Sequence, residues 1–150
     1  MKKNTILIFF SFILFSCSIT MIKSDFIPYT EEVSFQVIEV TKENTRSTHS
    51  ITYIAPTGTR YTSMSLKFKN ETDKDQIINF EDFYLLDDNN NKYRVFDVVQ
   101  NMKLTFSTKK MIFELKAGED KRYGLSFMPP FPKDQEVTRI LVKNKVINLK

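Results

Sequence analysis

The chain has 150 residues, of which 41% are hydrophobic and 13% aromatic, and its formal net charge is +4. This length suits one domain built around one hydrophobic core. The single cysteine excludes a disulfide within the chain, and the three glycines exclude a glycine-rich phosphate-binding loop.

The first segment, residues 1–16, has the pattern of an export signal. Lys2 and Lys3 precede a mostly apolar run from Ile6 to Phe15, as in the basic and apolar regions of such signals. A helix needs about twenty apolar residues to span a bilayer, so the run predicts a cleaved signal peptide rather than a permanent span.

The run ends in Leu14-Phe15-Ser16-Cys17, which resembles the lipobox of bacterial lipoproteins. The resemblance implies cleavage between Ser16 and Cys17 and acylation of Cys17, which then holds the mature chain to a membrane. One acyl chain holds a protein to a membrane only marginally, whereas two or more signals anchor it stably. Ser18 follows the cysteine, and by resemblance to enterobacterial sorting it favours the outer membrane. The alternative is an ordinary secretory signal with an incidental thiol.

Cleavage would change the charge of the chain. Lys2 and Lys3 leave with residues 1–16, so 20 basic residues remain against 18 acidic ones, a net charge of +2. These charges are interleaved without a basic block, which disfavours nucleic acid as a partner.

Residues 18–31 show neither helical nor alternating order, and they contain Pro28. We predict that residues 17–31 form the lipidated cysteine and a flexible tether, because chain termini are loose unless they are tied into a sheet. The folded domain is then predicted to span residues 32–150.

From residue 33 onwards, apolar and polar residues alternate with the period of two that is typical of strands. In residues 61–69, Met64, Leu66 and Phe68 alternate with polar residues, as in a half-buried antiparallel strand. Further strands are predicted at residues 33–40, 111–115, 122–128, 137–143 and 145–149. Turn-forming residues separate them at 56–59, 70–75, 87–92, 116–120 and 129–134. Short strands with such punctuation predict an all-β sandwich or barrel.

A longer pattern runs through this region. It comprises Lys69-Asn70 at a strand end, the strand Phe83-Tyr84-Leu85, a hairpin from Asp87 to Tyr93, and Leu115-Lys116-Ala117-Gly118-Glu119. Asn90 or Asn91 stands where the pattern has glycine, and asparagine also adopts left-handed φ. Over residues 33–145 the chain resembles a small domain of unknown function that is common in secreted and lipid-anchored bacterial proteins. The resemblance implies an immunoglobulin-like antiparallel β-sandwich outside the cytoplasm, without enzyme activity.

His49 is the only histidine in the chain. A hydrolase triad needs a nucleophile, a histidine base and an orienting acid, and an acylated Cys17 cannot serve as that nucleophile. We therefore predict no catalytic residue, no cofactor and no enzyme, with a hydrolase based on His49 as a distant alternative.

Two metal sites are alternatives. Asp87, Asn89 and Asn91 stand at alternate positions, as at the start of a calcium loop, but Lys92 and Val98 replace the glycine and glutamate of that loop. A hairpin turn explains the same residues. Thioether sulfur suits copper(I), and the candidate methionines are Met64, Met102, Met111 and Met128. Packing in the core explains methionines equally well.

Phe131 lies between Pro130 and Pro132. Proline is confined to edges and bulges of sheets, so Phe131 is predicted to lie outside a central strand and is a candidate contact for a partner. The alternative is an aromatic ring that folds back as a lid over one end of the sandwich.

Together these features predict a lipid-anchored, non-catalytic binding or structural module of the bacterial cell envelope. The predicted partners are the membrane, through the lipid on Cys17, and another envelope protein or a small extracytoplasmic ligand. An extracytoplasmic copper- or calcium-handling protein is the alternative, and the oligomeric state stays open.

Overall fold

The computed structural model describes residues 17–48, 51–100, 107–108 and 110–149. Within these residues the chain forms one 3-10 turn, Phe80–Asp82, and fourteen strands. The strands are β1 (Ser18–Met21), β2 (Ile27–Pro28), β3 (Val33–Glu43), β4 (Thr45–Thr48), β5 (Ile51–Ile54), β6 (Thr59–Asn70), β7 (Gln76–Asn79), β8 (Phe83–Leu86), β9 (Lys92–Gln100), β10 (Ser107–Thr108), β11 (Ile112–Leu115), β12 (Asp120–Pro132), β13 (Arg139–Val142) and β14 (Lys145–Asn148). In this part of the chain, no helix has the length and apolar character needed to cross a membrane.

Most of these strands join one antiparallel sheet in the order β1-β3-β6-β12-β9-β8-β13-β14. β2 adds to the side of β3, and β10 adds to β9. Two antiparallel pairs lie apart from this sheet, β7 with β11 and β4 with β5. Two long pairings flank β6. β3 pairs with it from Val33 opposite Asn70 to Glu43 opposite Tyr61, and β12 from Asp120 opposite Lys69 to Pro132 opposite Thr59.

The long sheet curls over itself, and aromatic rings fill the space between its halves. Phe35 on β3 and Phe83 on β8 are separated by three strands in the sheet order, yet their ring centroids lie 5.5 Å apart, edge to face. Phe68 lies 5.8 Å from both Phe83 and Tyr123. Such contacts add to the stabilisation from burying the rings. The predicted fold class, an all-β antiparallel sandwich, is confirmed.

The β7–β11 pair closes one end of this core. Ile78 on β7 and Leu115 on β11 are fully buried. The ring of Tyr123 lies 5.0 Å from that of Phe80 and 5.4 Å from that of Phe113. The pair therefore caps the open side of the curled sheet with apolar side chains.

The structure corrects the flexible tether that we predicted for residues 17–31. β1 pairs with β3 from its first residue onwards, with Ser18 opposite Lys42. Tyr29 is buried, and its ring stacks on Phe83 at 5.6 Å. A terminal segment that is tied into a sheet is ordered, and the free side of β3 supplies the hydrogen-bonding partner. The folded domain therefore includes β1 and begins well before residue 32.

The two ends of β3 mark two ends of the sandwich. At one end the Cys17 thiol donates to Oε1 of Glu43 at 3.8 Å, and we call this the Cys17 end. At the opposite end the Tyr29 backbone N–H donates to the Val33 carbonyl, and the Tyr29 hydroxyl donates to Oδ2 of Asp82 at 2.7 Å. Eleven residues of strand separate these ends by about 30 Å.

Candidate functional site

Strands β8 and β9 carry two adjoining clefts on their outer face. The first has a volume of about 430 Å³ and is lined by Glu81, Tyr84, Arg94, Val95, Phe96 and Met111. The second, of about 360 Å³, shares Glu81 and Tyr84 and adds Lys92 and Lys143 to its lining. We call the two together the Tyr84 cleft.

Strand alternation places Tyr84 and Arg94 in this cleft. Phe83 and Leu85 on β8 are buried, so Tyr84 between them points outward. Tyr93 and Val95 on β9 are also buried, and Arg94 lies directly opposite Tyr84 in the β8–β9 register. Directly opposed residues of antiparallel strands are side-chain neighbours. The phenol ring of Tyr84 and the guanidinium group of Arg94 are therefore neighbours at the bottom of the cleft.

Glu81 enters the rim of the cleft from the 3-10 turn. The side chain of Asn79 caps this turn by accepting from the Glu81 backbone N–H at 3.1 Å. Phe80 is fully buried in the core, so the next residue faces outward. Capping of a free backbone N–H by an asparagine oxygen is a common start for such a turn.

The cleft combines both signs of charge with aromatic surface. Among the described residues, the Arg94 guanidinium and the Glu81 carboxylate have neither an ion pair nor a side-chain hydrogen bond within the chain. The ammonium group of Lys92 lies 5.8 Å from the centroid of the Tyr84 ring. These groups can bind a ligand segment that carries both charges and a flat or apolar group.

One wall of the cleft is braced by the β4–β5 hairpin. The Arg46 guanidinium lies over the Phe96 ring at 4.7 Å and pairs with Oδ2 of Asp97 at 2.9 Å. The side chains of both partners in this ion pair are mostly buried, at 17% and 14% exposure. The brace holds Phe96 in place at the edge of the cleft.

Cys17 is exposed and lies directly before β1. Partial loss of hydration beside the protein surface and the nearby Glu43 carboxylate raise the pKa of its thiol. The other predicted cleavage residue, Ser16, lies outside the described residues, as do the rest of the predicted signal peptide, His49 and Met102.

The structure corrects the prediction that Phe131 is open to a partner. Its side chain is 1% exposed, and its ring lies 4.8 Å from that of Tyr93. β12 continues to Pro132 and places Phe131 opposite Arg60, after a register shift that follows Phe127. This irregularity accommodates the prolines without ending the strand, so Phe131 returns to the core face.

Asp87 organises the β8–β9 hairpin. Its carboxylate accepts from the backbone N–H groups of Asn89 and Asn91 at 2.9 and 2.8 Å, from Nδ2 of Asn91 at 2.8 Å and from the Tyr93 hydroxyl at 3.1 Å. Asn90 has a φ of +64°, the left-handed conformation expected at the glycine position. Donors within the hairpin therefore satisfy the Asp87 carboxylate, the one charged group among the three residues that we considered as the start of a calcium loop.

The described residues offer no group of three or more His, Cys, Asp or Glu side chains placed to hold a metal ion. Met64 is buried in the core, and Met111 packs against the core from its edge. Core packing accounts for both methionines.

The Tyr84 cleft was not predicted from the sequence. Phe83-Tyr84-Leu85 was predicted as a strand, and alternation along that strand places Tyr84 on the outer face. The contribution of Glu81 and Met111 depends on how β7, β8 and β11 come together, and no local pattern in the sequence encodes that arrangement.

Comparison with known proteins indicates the fold alone. No protein-family model matches the chain, and no curated protein matches it. The crystal structure of a conserved hypothetical protein from Bacillus anthracis is similar, with a TM-score of 0.59 and 18% identity over 89% of this chain and 97% of that chain. An uncharacterized β-sandwich protein from Clostridium difficile has a TM-score of 0.49 and 13% identity over 77% of this chain and 80% of that chain. This chain therefore shares its fold with the B. anthracis protein across nearly the whole length of both.

Proposed function

We propose that the protein is a lipid-anchored, non-catalytic binding module of the bacterial cell envelope. The sequence from Lys2 to Cys17 carries the anchor, because a basic start, an apolar run and a lipobox occur there in order. The exposed position of Cys17 before β1 supports it, since an acylated thiol there displaces no core contact. Ser18 favours the outer membrane, and the domain resembles the immunoglobulin-like modules of lipid-anchored bacterial proteins.

The Tyr84 cleft is the binding face in this proposal. Glu81 and Arg94 lie on one surface without partners among the described residues, and the aromatic rings of Tyr84 and Phe96 lie beside them. Exposed charges of both signs next to rings suit a polar protein segment with mixed charge better than a uniformly charged polymer. The proposed partner is therefore another envelope protein.

Intact-mass spectrometry of the membrane-extracted protein tests the anchor. We expect a mature chain that begins at Cys17 and carries added lipid mass. The matched control is Cys17→Ala, which should show neither the cleavage nor the lipid. A chain cut at another residue and free of lipid would overturn the anchor and make the protein a secreted one.

Site-specific photo-cross-linking in intact cells tests the binding face. A photoreactive benzophenone side chain at position 84 should trap a defined envelope protein, and the additional exchange Arg94→Glu should abolish this adduct by reversing the charge beside it. The matched control places the same group at Asp73, an exposed turn residue outside the cleft. Equal adducts from both positions, or an adduct that survives Arg94→Glu, would contradict the proposal.

A further inference from the structure

Exposed apolar side chains are concentrated beside Cys17. Ten large hydrophobic side chains are exposed among the described residues, and five of them lie on β1 and on the β4–β5 hairpin. These five are Ile19, Met21, Ile51, Tyr53 and Ile54, with exposures of 62, 65, 55, 48 and 78%. Exposed apolar side chains that gather at one end of a domain mark a contact with another molecule or with a membrane.

Both elements lie directly beside Cys17. Ser18, the next residue, is already paired with Lys42 of β3, so no spacer separates the thiol from the sheet. The Cys17 thiol contacts Glu43, and at Asn44 the chain turns into the hairpin, where the Ala55 backbone N–H donates to the Asn44 carbonyl at 2.8 Å. The base of the hairpin and the thiol therefore flank the same end of β3.

The hairpin is held firmly on the sheet. Its strands pair in register from Thr45 opposite Ile54 to Thr48 opposite Ile51. Arg46 fixes it to β9 through the ion pair with Asp97. Its exposed apolar side chains are thus presented on a fixed support, and their place relative to Cys17 is set by the fold.

We propose that the surface formed by β1 and the β4–β5 hairpin lies on the lipid bilayer that receives the acyl chains of Cys17. This inference rests on the proposed lipid anchor and adds to it a defined membrane-facing side. One residue of extended chain spans at most about 3.6 Å, so an acylated Cys17 would bring β1 to the level of the lipid headgroups. Isoleucine and tyrosine side chains at that level enter the boundary between headgroups and acyl chains.

The polar groups near this surface fit the headgroup level. Glu43 carries a negative charge and Arg60 a positive one, and the Arg60 guanidinium donates to the Ser18 hydroxyl at 3.4 Å. Lipid headgroups present both phosphate and ammonium groups, so charges of either sign find partners there. The surface therefore combines an apolar part for the acyl boundary with a polar part for the headgroups.

The chain contains no tryptophan, so a single introduced tryptophan reports on its own surroundings. We would place it by Ile54→Trp on the hairpin and, as the matched control, by Ile77→Trp on β7. Both isoleucines are exposed, at 78 and 58%, so neither exchange disturbs the core. β7 belongs to the pair that closes the sandwich at the end opposite Cys17, where Asn70 binds the Leu115 carbonyl at 3.3 Å. Tyr53→Trp serves as a second reporter on the hairpin.

The full-length lipoprotein is extracted from membranes, checked by intact mass, and reconstituted into phosphatidylethanolamine–phosphatidylglycerol vesicles with and without brominated acyl chains. We expect the hairpin reporters to show blue-shifted emission that brominated lipid quenches. The residue-77 reporter should keep its emission in both kinds of vesicle. Far-ultraviolet circular dichroism of each variant confirms that the fold is kept.

The outcomes separate the two proposals. A chain that carries lipid but whose hairpin reporters are not quenched overturns the membrane-facing surface and leaves the anchor standing. Equal quenching at residues 54 and 77 also overturns the surface, because the bilayer would then contact the protein without preference. A chain without lipid overturns the anchor, and the inference that rests on it falls as well.

Discussion

The Asp87 carboxylate stabilises its hairpin through hydrogen bonds that depend on its negative charge. Burial opposes that charge, but the donors from Asn91, Tyr93 and Asn89 outweigh it and hold the pKa of Asp87 below its usual value. Because the pKa is lower in the folded than in the unfolded chain, the charge adds stability above a pH of about 4. This contribution is lost as the pH falls through the folded-state pKa.

We expect Asp87→Asn to lower the free energy of unfolding at pH 7 and to have a progressively smaller effect below a pH of about 4. Urea unfolding of both proteins across this range gives the difference directly. The matched control is Asp73→Asn, an exposed residue in another turn, which should leave the profile unchanged. A deficit in Asp87→Asn that is constant down to the lowest pH would show that the charge plays no part.

Tyr29 fastens the N-terminal segment to the 3-10 turn. Its hydroxyl donates to Asp82 at 2.7 Å and accepts from the Asn79 backbone N–H at 3.1 Å, and burial with the Asp82 hydrogen bond raises the pKa of Tyr29. Tyr29→Phe keeps the stacked ring and removes both hydrogen bonds. We expect it to lower the free energy of unfolding by about 1–3 kcal/mol, since a part-buried N–H and a carboxylate lose their partner.

The same substitution at Tyr123 serves as the matched control for Tyr29→Phe, and we do not expect it to lower the free energy of unfolding. The Tyr123 side chain is fully buried, and its hydroxyl has no hydrogen-bond partner in the described part of the chain. Tyr123→Phe removes an unsatisfied polar atom and keeps the aromatic contacts, so the free energy of unfolding should stay the same or rise by about 1 kcal/mol. A clear loss of stability, measured by urea unfolding beside Tyr29→Phe, would contradict this expectation.

At the scale of elements, the β4–β5 hairpin depends on Arg46 for its position. We expect Arg46→Ala to speed amide hydrogen exchange in β4 and β5, because the ion pair with Asp97 and the contact with Phe96 are both lost. Exchange in the central strand β6 should stay slow, since β3 and β12 flank it on both sides. Arg46→Lys keeps the charge but not the flat guanidinium. Its amide exchange rates in β4 and β5 should lie between those of the unchanged protein and those of Arg46→Ala. Faster amide hydrogen exchange in β6 would show that the substitution disturbs the whole sheet.

Most of the strands that were predicted from the sequence have one face in the core. β6 follows the expected alternation, with Met64, Leu66 and Phe68 buried. β1 was missed because it joins the edge of the sheet by backbone hydrogen bonds and buries almost nothing. β5 was missed because all its side chains are exposed. Periodicity reports burial, and these strands form without it.

Phe131 illustrates a different limit. Its flanking prolines were interpreted as breaking the strand, since proline cannot donate to a ladder. The register shift between Phe127 and Phe131 provides the irregular stretch that prolines require, and regular pairing resumes at Arg60. The presence of proline is local information, whereas the bulge depends on the partner strand.

At the scale of the whole molecule, the candidate site is a product of topology. Alternation predicts that Tyr84 and Arg94 face outward, and the turn residues of Asp87–Asn91 predict the hairpin that joins their strands. Glu81 and Met111 join them because Phe80 binds the Met111 carbonyl through its backbone N–H at 2.8 Å. That contact spans thirty residues of sequence, so no single segment contains the information that builds the cleft.

The pairing of β1 with β3 also protects the protein from self-association. β3 binds β6 on one side and carries β1 and β2 on the other, so its backbone groups are not presented to other chains. A chain shortened to the boundary predicted at residue 32 would lose both covering strands and the Tyr29 ring. It would then expose the long edge of β3, and unpaired strand edges template aggregation. The short segment after Cys17 thus covers the edge of β3, and the smallest form of this protein that resists aggregation must retain it.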